Sequence, residues 1–119
     1  MQRPLRLRRQ EDFAHMRKAG RTYRHPFLTL SVAPNPLSHN RYGFVTSKRL
    51  GNAVVRNTVR RVLRGVIRQA DPSLAHGFDV VLVARPPIVG QPYQAIEQAT
   101  VTCLKQAGLC KPPVGEQLP

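Results

Sequence analysis

The chain has 119 residues, enough for one domain with a modest hydrophobic core. It carries 19 Lys and Arg against 6 Asp and Glu, for a formal net charge of +13, while 41% of its residues are hydrophobic. This composition excludes wholesale disorder, and its longest apolar run, residues 80–84, excludes a membrane span; the charge favours a polyanionic partner.

The N-terminal residues predict a short helix. Glu11 and Asp12 suit the positive end of a helix dipole, and Gly20 is a natural stop. The first ten residues, MQRPLRLRRQ, contain no apolar segment of a secretory signal. We therefore expect a cytoplasmic protein.

Strands follow this helix. Residues 22–33 alternate in a period of two, so that Leu28 and Leu30 face one side and Thr29 faces the other. After a loop rich in Pro and Asn, residues 41–47 predict the returning strand of a hairpin or meander.

The second half of the chain predicts a helix, a central strand and a last helix. Asn52 is a good N-cap for a helix that runs to about Ala70, and residues 78–84 are apolar enough for a central strand. Pro92 fits the first turn of the last helix. Its core-facing stripe has helical spacing and consists of Ile96, Ala99, Thr100, Cys103, Leu104 and Ala107.

This order of elements predicts a two-layer α/β domain with helices against one sheet. We expect a single domain over residues 1–110 and a loose tail over residues 111–119. Two cysteines do not make a disulfide framework. Because Cys103 lies on the core stripe, we expect its thiol to be buried, and we expect the thiol of Cys110 to be exposed.

The central helix carries an arginine face. At about 100° per residue, one side of the helix collects arginines without a carboxylate among them, and the opposite side is apolar. Like charges at this spacing repel, so the arrangement favours binding to a polyanion. The arginine face consists of Arg56, Asn57, Arg60, Arg61, Arg64 and Arg68. Lys48 and Arg49 extend the positive surface into the preceding loop.

Residues 41–64 resemble the sequence signature of the bacterial ribonuclease P protein subunit. The core of this signature is Arg-Asn-x-x-Arg-Arg-x-x-Arg, preceded by Ser-Lys-Arg-x-Gly-Asn-Ala-Val. Weaker matches at residues 11–13 and 77–81 extend the similarity over about residues 6–107. The resemblance implies an α+β fold of order α-β-β-β-α-β-α, a two-layer sandwich with a left-handed β-α-β crossover, like the second domain of ribosomal protein S5.

The resemblance also implies a function. In this family the catalytic RNA of ribonuclease P, with Mg²⁺, cleaves the 5′ leader from precursor tRNA, and the protein assists without catalytic side chains of its own. The expected partners are that RNA and precursor tRNA, with no membrane and no stable protein partner. Mg²⁺ is expected to be bound mainly by the RNA and the substrate, and no organic cofactor is expected.

Site residues are carried over from the family's motif. Arg56, Asn57, Arg60, Arg61 and Arg64 match the RNA-binding motif, Lys48 and Arg49 match the basic loop, and Arg68 extends the face by geometry. The cleft for the 5′ leader matches Phe13, Leu28, Leu30 and Val45, with Arg17 where the family often has a second aromatic residue. Gly65 stands where a glutamate is common.

Other functions fit the sequence less well. The acidic residues form no separated pair for acid/base catalysis, and the four histidines have no metal-ligand spacing, which disfavours a protein-only enzyme. A DNA-binding helix-turn-helix lacks its partner helix, and a membrane-surface protein would need a free apolar face. The main alternative is a structural RNA binder such as a ribosomal protein, which explains charge and size but not the signature.

Overall fold

A computed structural model describes residues 20–110 of the chain. The predicted N-terminal helix, with Phe13 and Arg17, lies outside the described residues, as does the tail over residues 111–119. The predicted domain boundary at residue 110 therefore stays a prediction.

Within the described residues, four strands form one sheet in the order β1-β2-β4-β3. The strands are β1 (Arg21–Arg24), β2 (Leu28–Pro34), β3 (Arg41–Val45) and β4 (Phe78–Ala84). Strand β4 pairs antiparallel with β2 and parallel with β3. The predicted hairpin or meander between β2 and β3 is therefore wrong. Because β4 is the most continuously apolar strand, it takes the central position and separates the two.

Two helices complete the described part. Helix α1 (Ala53–Ala70) begins as predicted after Asn52, whose side chain accepts a 3.1 Å hydrogen bond from the Val55 N–H. Helix α2 (Tyr93–Gln106) follows Pro92, which occupies its N-cap position. Neither of these helices combines the length and apolar composition needed to cross a bilayer.

The core lies between the helices and one face of the sheet. Leu28 and Leu30 of β2 are fully buried there, as their alternation with Thr29 predicted. Helix α1 contributes Val59, Leu63, Val66 and Ile67. Helix α2 contributes five members of its predicted stripe: Ile96, Ala99, Thr100, Cys103 and Leu104. The two-layer α+β architecture is confirmed.

The connection from β3 through α1 to β4 joins two neighbouring parallel strands. This is the β-α-β unit that the family resemblance implies, and its left-handedness stays a prediction. From β1 onward the elements follow the implied order β-β-β-α-β-α.

The end of the described chain returns to the domain. Gly108 adopts a positive φ of 76° just after α2, which is the conformation that favours glycine at the end of a helix. Leu109 is then buried, and the backbone of Cys110 pairs with that of Leu74 in an isolated antiparallel β-bridge. The expectation of an exposed Cys110 thiol is wrong, because this bridge leaves the residue half-buried. Cys103 is fully buried, as predicted.

Candidate nucleic-acid interface

The arginine face lines a depression in the surface of the protein. Its volume is about 470 Å³, and its lining consists of Asn57, Arg60, Arg61, Arg64, Gly65 and Arg68. Helix α1 brings these residues together because arginines recur at intervals of three or four residues while its other side packs on the sheet. The structure therefore gathers five of the six residues of the arginine face around one concavity.

Arg60 and Arg64 are held in place by the end of β3. The Nη2 of Arg60 donates a 2.6 Å hydrogen bond to Oγ1 of Thr46, and its Nη1 donates one of 2.9 Å to Oδ1 of Asn57. The guanidinium of Arg64 lies 5.8 Å from the centroid of the Phe44 ring, within range of a cation–π interaction. These contacts fix two arginines before any partner binds.

Arg56 lies outside the depression, one turn before Arg60. It is half-buried, and its Nε is buried without a hydrogen-bond acceptor within residues 20–110. A guanidinium with an unused donor is costly to bury and gains from an anionic acceptor nearby. Arg56 thus shares the chemical character of the rest of the face.

Lys48 and Arg49 lie where they extend the positive surface towards the start of α1. Both are exposed in a single 3-10 turn (Lys48–Leu50), which is anchored by the buried side chain of Leu50. Gly51 closes the turn with φ 138°, a conformation that side chains disfavour, and its N–H donates to the Lys48 carbonyl at 3.1 Å. The basic loop and the arginine face are therefore joined through one short turn.

A polar network fixes the other end of α1. The hydroxyl of Tyr42 donates to the carboxylate of Asp71, the residue that follows the helix. Asn40 donates to the Ala75 carbonyl at 2.9 Å and accepts from the Phe78 N–H at 2.8 Å. Burial, together with the hydrogen bond to Asp71, raises the pKa of Tyr42 far above its ordinary value. The network ties the C-terminal end of α1 to β3 and β4.

The structure corrects the prediction that two leucines of β2 line the leader cleft. Leu28 and Leu30 are fully buried between β2 and the helices, so they present no surface to a ligand. Their placement rested on the resemblance, which matched positions along β2 without deciding which face they occupy. Val45, by contrast, is 38% exposed on the opposite face of the sheet.

The opposite face offers other residues for such a cleft. The strand register places Thr29, Val83 and Val45 in one row across β2, β4 and β3. Ser31 lies in the next row, and all four are at least partly exposed. Thr29, Ser31 and Val83 were missed, although the alternation that buried Leu28 and Leu30 already placed the intervening residues on the other side.

A buried ion pair lies at one end of the sheet face that is opposite the helices. Asp79 is fully buried and accepts two hydrogen bonds from Arg41, at 2.8 Å from Nε and 2.7 Å from Nη2. The side chain of Asn35 donates a third, at 2.8 Å. A buried carboxylate with this many donors is satisfied within the protein, so Asp79 has a structural role.

Metal-ligating side chains are not clustered in the described part of the chain. Within residues 20–110 no group of three His, Cys, Asp or Glu side chains is close enough to hold one metal ion.

Comparison with known proteins gives a consistent result. Residues 1–108 match the family model described as Ribonuclease P. The ribonuclease P protein component of Chloroflexus aurantiacus is 40% identical over 117 residues, which cover 98% of this chain and 87% of that protein. The corresponding protein of Roseiflexus castenholzii is 38% identical over 117 residues, covering 98% and 96%.

Solved structures agree with these sequence relatives. The ribonuclease P protein of Staphylococcus aureus superposes with a TM-score of 0.83 at 26% identity, over 90% of this chain and 98% of that one. The protein of Thermotoga maritima, solved in complex with 1-(4-fluorophenyl)-2-thiourea, gives a TM-score of 0.78 at 25% identity, over 85% and 98%. The structures share the fold, and the sequence matches extend over nearly the whole chain.

Proposed function

The chain belongs to the ribonuclease P protein family, and we propose that it is the subunit that binds the catalytic RNA and the 5′ leader of precursor tRNA. Membership of the family implies a role in tRNA 5′ processing as part of an endoribonuclease. The proposal adds that the chemistry is carried by the RNA and that this protein acts by binding, in the cytoplasm.

The observation that carries the proposal is the arginine face. Four arginines line one depression on α1, and Phe44 of β3 and Thr46 just after it already orient two of them. Guanidinium groups bind phosphate oxygens through two parallel hydrogen bonds, which suits a folded RNA with a fixed arrangement of phosphates. We expect Arg56, Asn57, Arg60, Arg61 and Arg64 to contact the catalytic RNA, with Arg68, Lys48 and Arg49 extending that surface.

In this mechanism the arginines reduce the need for metal ions. Phosphates that repel one another in the folded RNA are otherwise neutralised by bound cations. Each arginine that pairs with a phosphate replaces part of that requirement, so the active RNA fold persists at lower Mg²⁺. The Mg²⁺ ions of the reaction belong to the RNA and the substrate in this proposal.

The leader contact belongs to a second surface. We propose that the exposed face of the sheet, through Val45, Thr29, Ser31 and Val83, contacts the single-stranded leader together with Phe13. The small side chains of this face allow close approach of the RNA backbone, while flat or apolar side chains meet unstacked bases. This contact would add affinity only to substrates that still carry a leader.

The proposal is tested by cleavage of a precursor tRNA with a 5′ leader at low Mg²⁺, with and without a bacterial ribonuclease P RNA. We expect cleavage to require the RNA and to rise sharply when the protein is added. An Arg60→Ala variant should reduce the stimulation. The matched control is Arg21→Ala, because Arg21 is an exposed arginine in β1, at the sheet edge opposite β3 and in register with Val32 of the core face.

The alternative of a structural RNA binder predicts a different result. Such a protein would bind RNA through the same arginines but leave cleavage at low Mg²⁺ unchanged. If addition of the protein has no effect on cleavage at any Mg²⁺ concentration, the role in tRNA processing proposed for the arginine face is refuted.

A further inference from the structure

Tyr93 is a large aromatic residue that is not buried in the hydrophobic core. It is the first residue of α2, and 40% of it is exposed, in contrast to the buried stripe that begins at Ile96. Tyrosine in a first helical turn has no capping role, and tyrosine is enriched at interfaces because its ring is apolar and its hydroxyl is polar.

The ring of Tyr93 lies next to Gly65, which lines the arginine depression, while Tyr93 itself is not among the lining residues. A Cβ atom placed on Gly65 would lie 3.9 Å from both Cε2 and the hydroxyl oxygen of Tyr93. Gly65 is also one of the six residues that line the depression. A long side chain at position 65 would reach the ring, whereas glycine places no side chain between the ring and the part of α1 that lines the depression.

Arginines flank this position on the helix. Residues three and four apart are neighbours on a helix surface, so Arg61 and Arg68 lie on either side of Gly65. The ring of Tyr93 therefore adjoins a place where two guanidinium groups can hold successive phosphates. A volume of about 470 Å³ is within the usual range of about 300–1,000 Å³ for ligand sites.

We infer that Tyr93 is a stacking platform for an unpaired nucleobase of RNA, whose flanking phosphates are held by Arg61 and Arg68. The inference rests on the proposed function only in taking RNA as the ligand. With the arginines alone, this surface would recognise phosphates; the ring of Tyr93 adds recognition of a base. Aromatic side chains stack with any base, so the platform selects for an unpaired nucleotide and not for a sequence.

Tyrosine fluorescence reports on this contact, because the chain contains three tyrosines and no tryptophan. The probes are an oligoadenylate of twelve nucleotides and an inorganic polyphosphate of similar charge. Both carry phosphates for the arginines, but only the RNA carries bases. We expect the RNA, after correction for its own absorbance, to quench the fluorescence and the polyphosphate to leave it nearly unchanged.

Two substitutions assign the signal to its residue. Tyr93→Phe keeps an aromatic ring, so it should bind the oligoadenylate like the wild type but lose most of the quenching. Tyr23→Phe, a matched control in β1, should keep it. Tyr93→Leu should bind the oligoadenylate about fivefold or more weakly, the lower end of the loss expected for one stacked base, and should bind polyphosphate unchanged.

The outcomes separate the inference from the proposed function. Equal affinity of Tyr93→Leu and wild type for the oligoadenylate, or equal losses for RNA and polyphosphate, would overturn the stacking platform while leaving the arginine face intact. Full quenching in Tyr93→Phe would do the same, and this variant keeps the ring that packs on α1. Failure of the wild-type protein to stimulate precursor cleavage would instead count against the proposed function.

Discussion

Thr46 is predicted to control RNA affinity through Arg60 alone. Its hydroxyl accepts the 2.6 Å hydrogen bond that fixes the guanidinium of Arg60 at the edge of the depression. Replacing Thr46 with Val keeps the shape and the β-branched side chain but removes the acceptor. Arg60 keeps its charge and its bond to Asn57, yet it becomes freer to rotate.

The size of the effect follows from this geometry. Ordering one flexible side chain at an interface costs about 0.5–1.5 kcal/mol, and the Thr46 hydrogen bond removes much of that cost before binding. Thr46→Val should therefore weaken binding to the catalytic RNA about two- to tenfold. The number of charges is unchanged, so the slope of log K against log salt should stay the same.

The assay is a titration of labelled ribonuclease P RNA with protein at several salt concentrations. Thr58→Val is the matched control, because within residues 20–110 the Thr58 hydroxyl bonds only the Val54 carbonyl in its own helix, at 2.9 Å. In Arg60→Ala the slope should fall as well as the affinity. Adding Thr46→Val to Arg60→Ala should cost nothing further, since the side chain that Thr46 holds is gone.

Two results would refute this reasoning. If Thr46→Val binds the RNA as tightly as wild type, the hydrogen bond does not prepare Arg60 for RNA. If the double variant instead loses the sum of the two single losses in affinity, Thr46 acts on the RNA independently of Arg60.

Three further predictions concern the helix and its anchor. Arg64→Ala should lower the salt slope of RNA binding by roughly 0.7–0.9 for each phosphate that the protein no longer neutralises, as measured in the same titration. Gly65→Ala should raise the free energy of unfolding by about 0.5–1 kcal/mol in urea denaturation, because the new Cβ lies 3.9 Å from its nearest neighbours, whereas Gly51→Ala should lower it because φ is +138° there. The raised pKa of Tyr42 means that the folded state favours the neutral phenol bonded to Asp71, so the free energy of unfolding should fall as pH rises above about 10. In Tyr42→Phe that free energy should be lower at pH 8 and should fall less steeply above pH 10.

The parts of the fold that depend on local sequence were predicted correctly. Asn52 fixes the start of α1 through a bond to a residue three positions ahead, and the apolar stripe of α2 needs only its own spacing. The partner of β3 was not predicted, because pairing between strands separated by a helix depends on contacts far apart in the chain. The apolar run of β4 predicted a central strand, but hydrophobicity alone could not identify β2 and β3 as its two neighbours.

In the candidate site, too, features that depend on local sequence were predicted and those that depend on tertiary contacts were not. The arginine face could be drawn from helical spacing, and the structure places its members around one depression. The cleft residues Leu28 and Leu30 were misplaced because a resemblance carries a position and not the face on which it lies. The contacts of Thr46 with Arg60 and of Phe44 with Arg64 were not predicted. They depend on where β3 lies along the axis of α1, which the sequence of either element does not give.

That placement follows from a match between two repeats. Side chains on one face of a strand recur about every 6.6 Å, and residues four apart in a helix recur about every 6 Å. Phe44 and Thr46 are two apart in the chain, and they contact Arg64 and Arg60, which are four apart in α1 and run in the opposite direction. Tyr42, two residues before Phe44, contacts Asp71, which lies seven residues beyond Arg64, so the match of the two repeats covers the Arg60 and Arg64 contacts and not this one. Because the two repeats nearly coincide, Phe44 of β3 and Thr46 just after it can position two successive arginines of the depression, whose lining residues lie on α1.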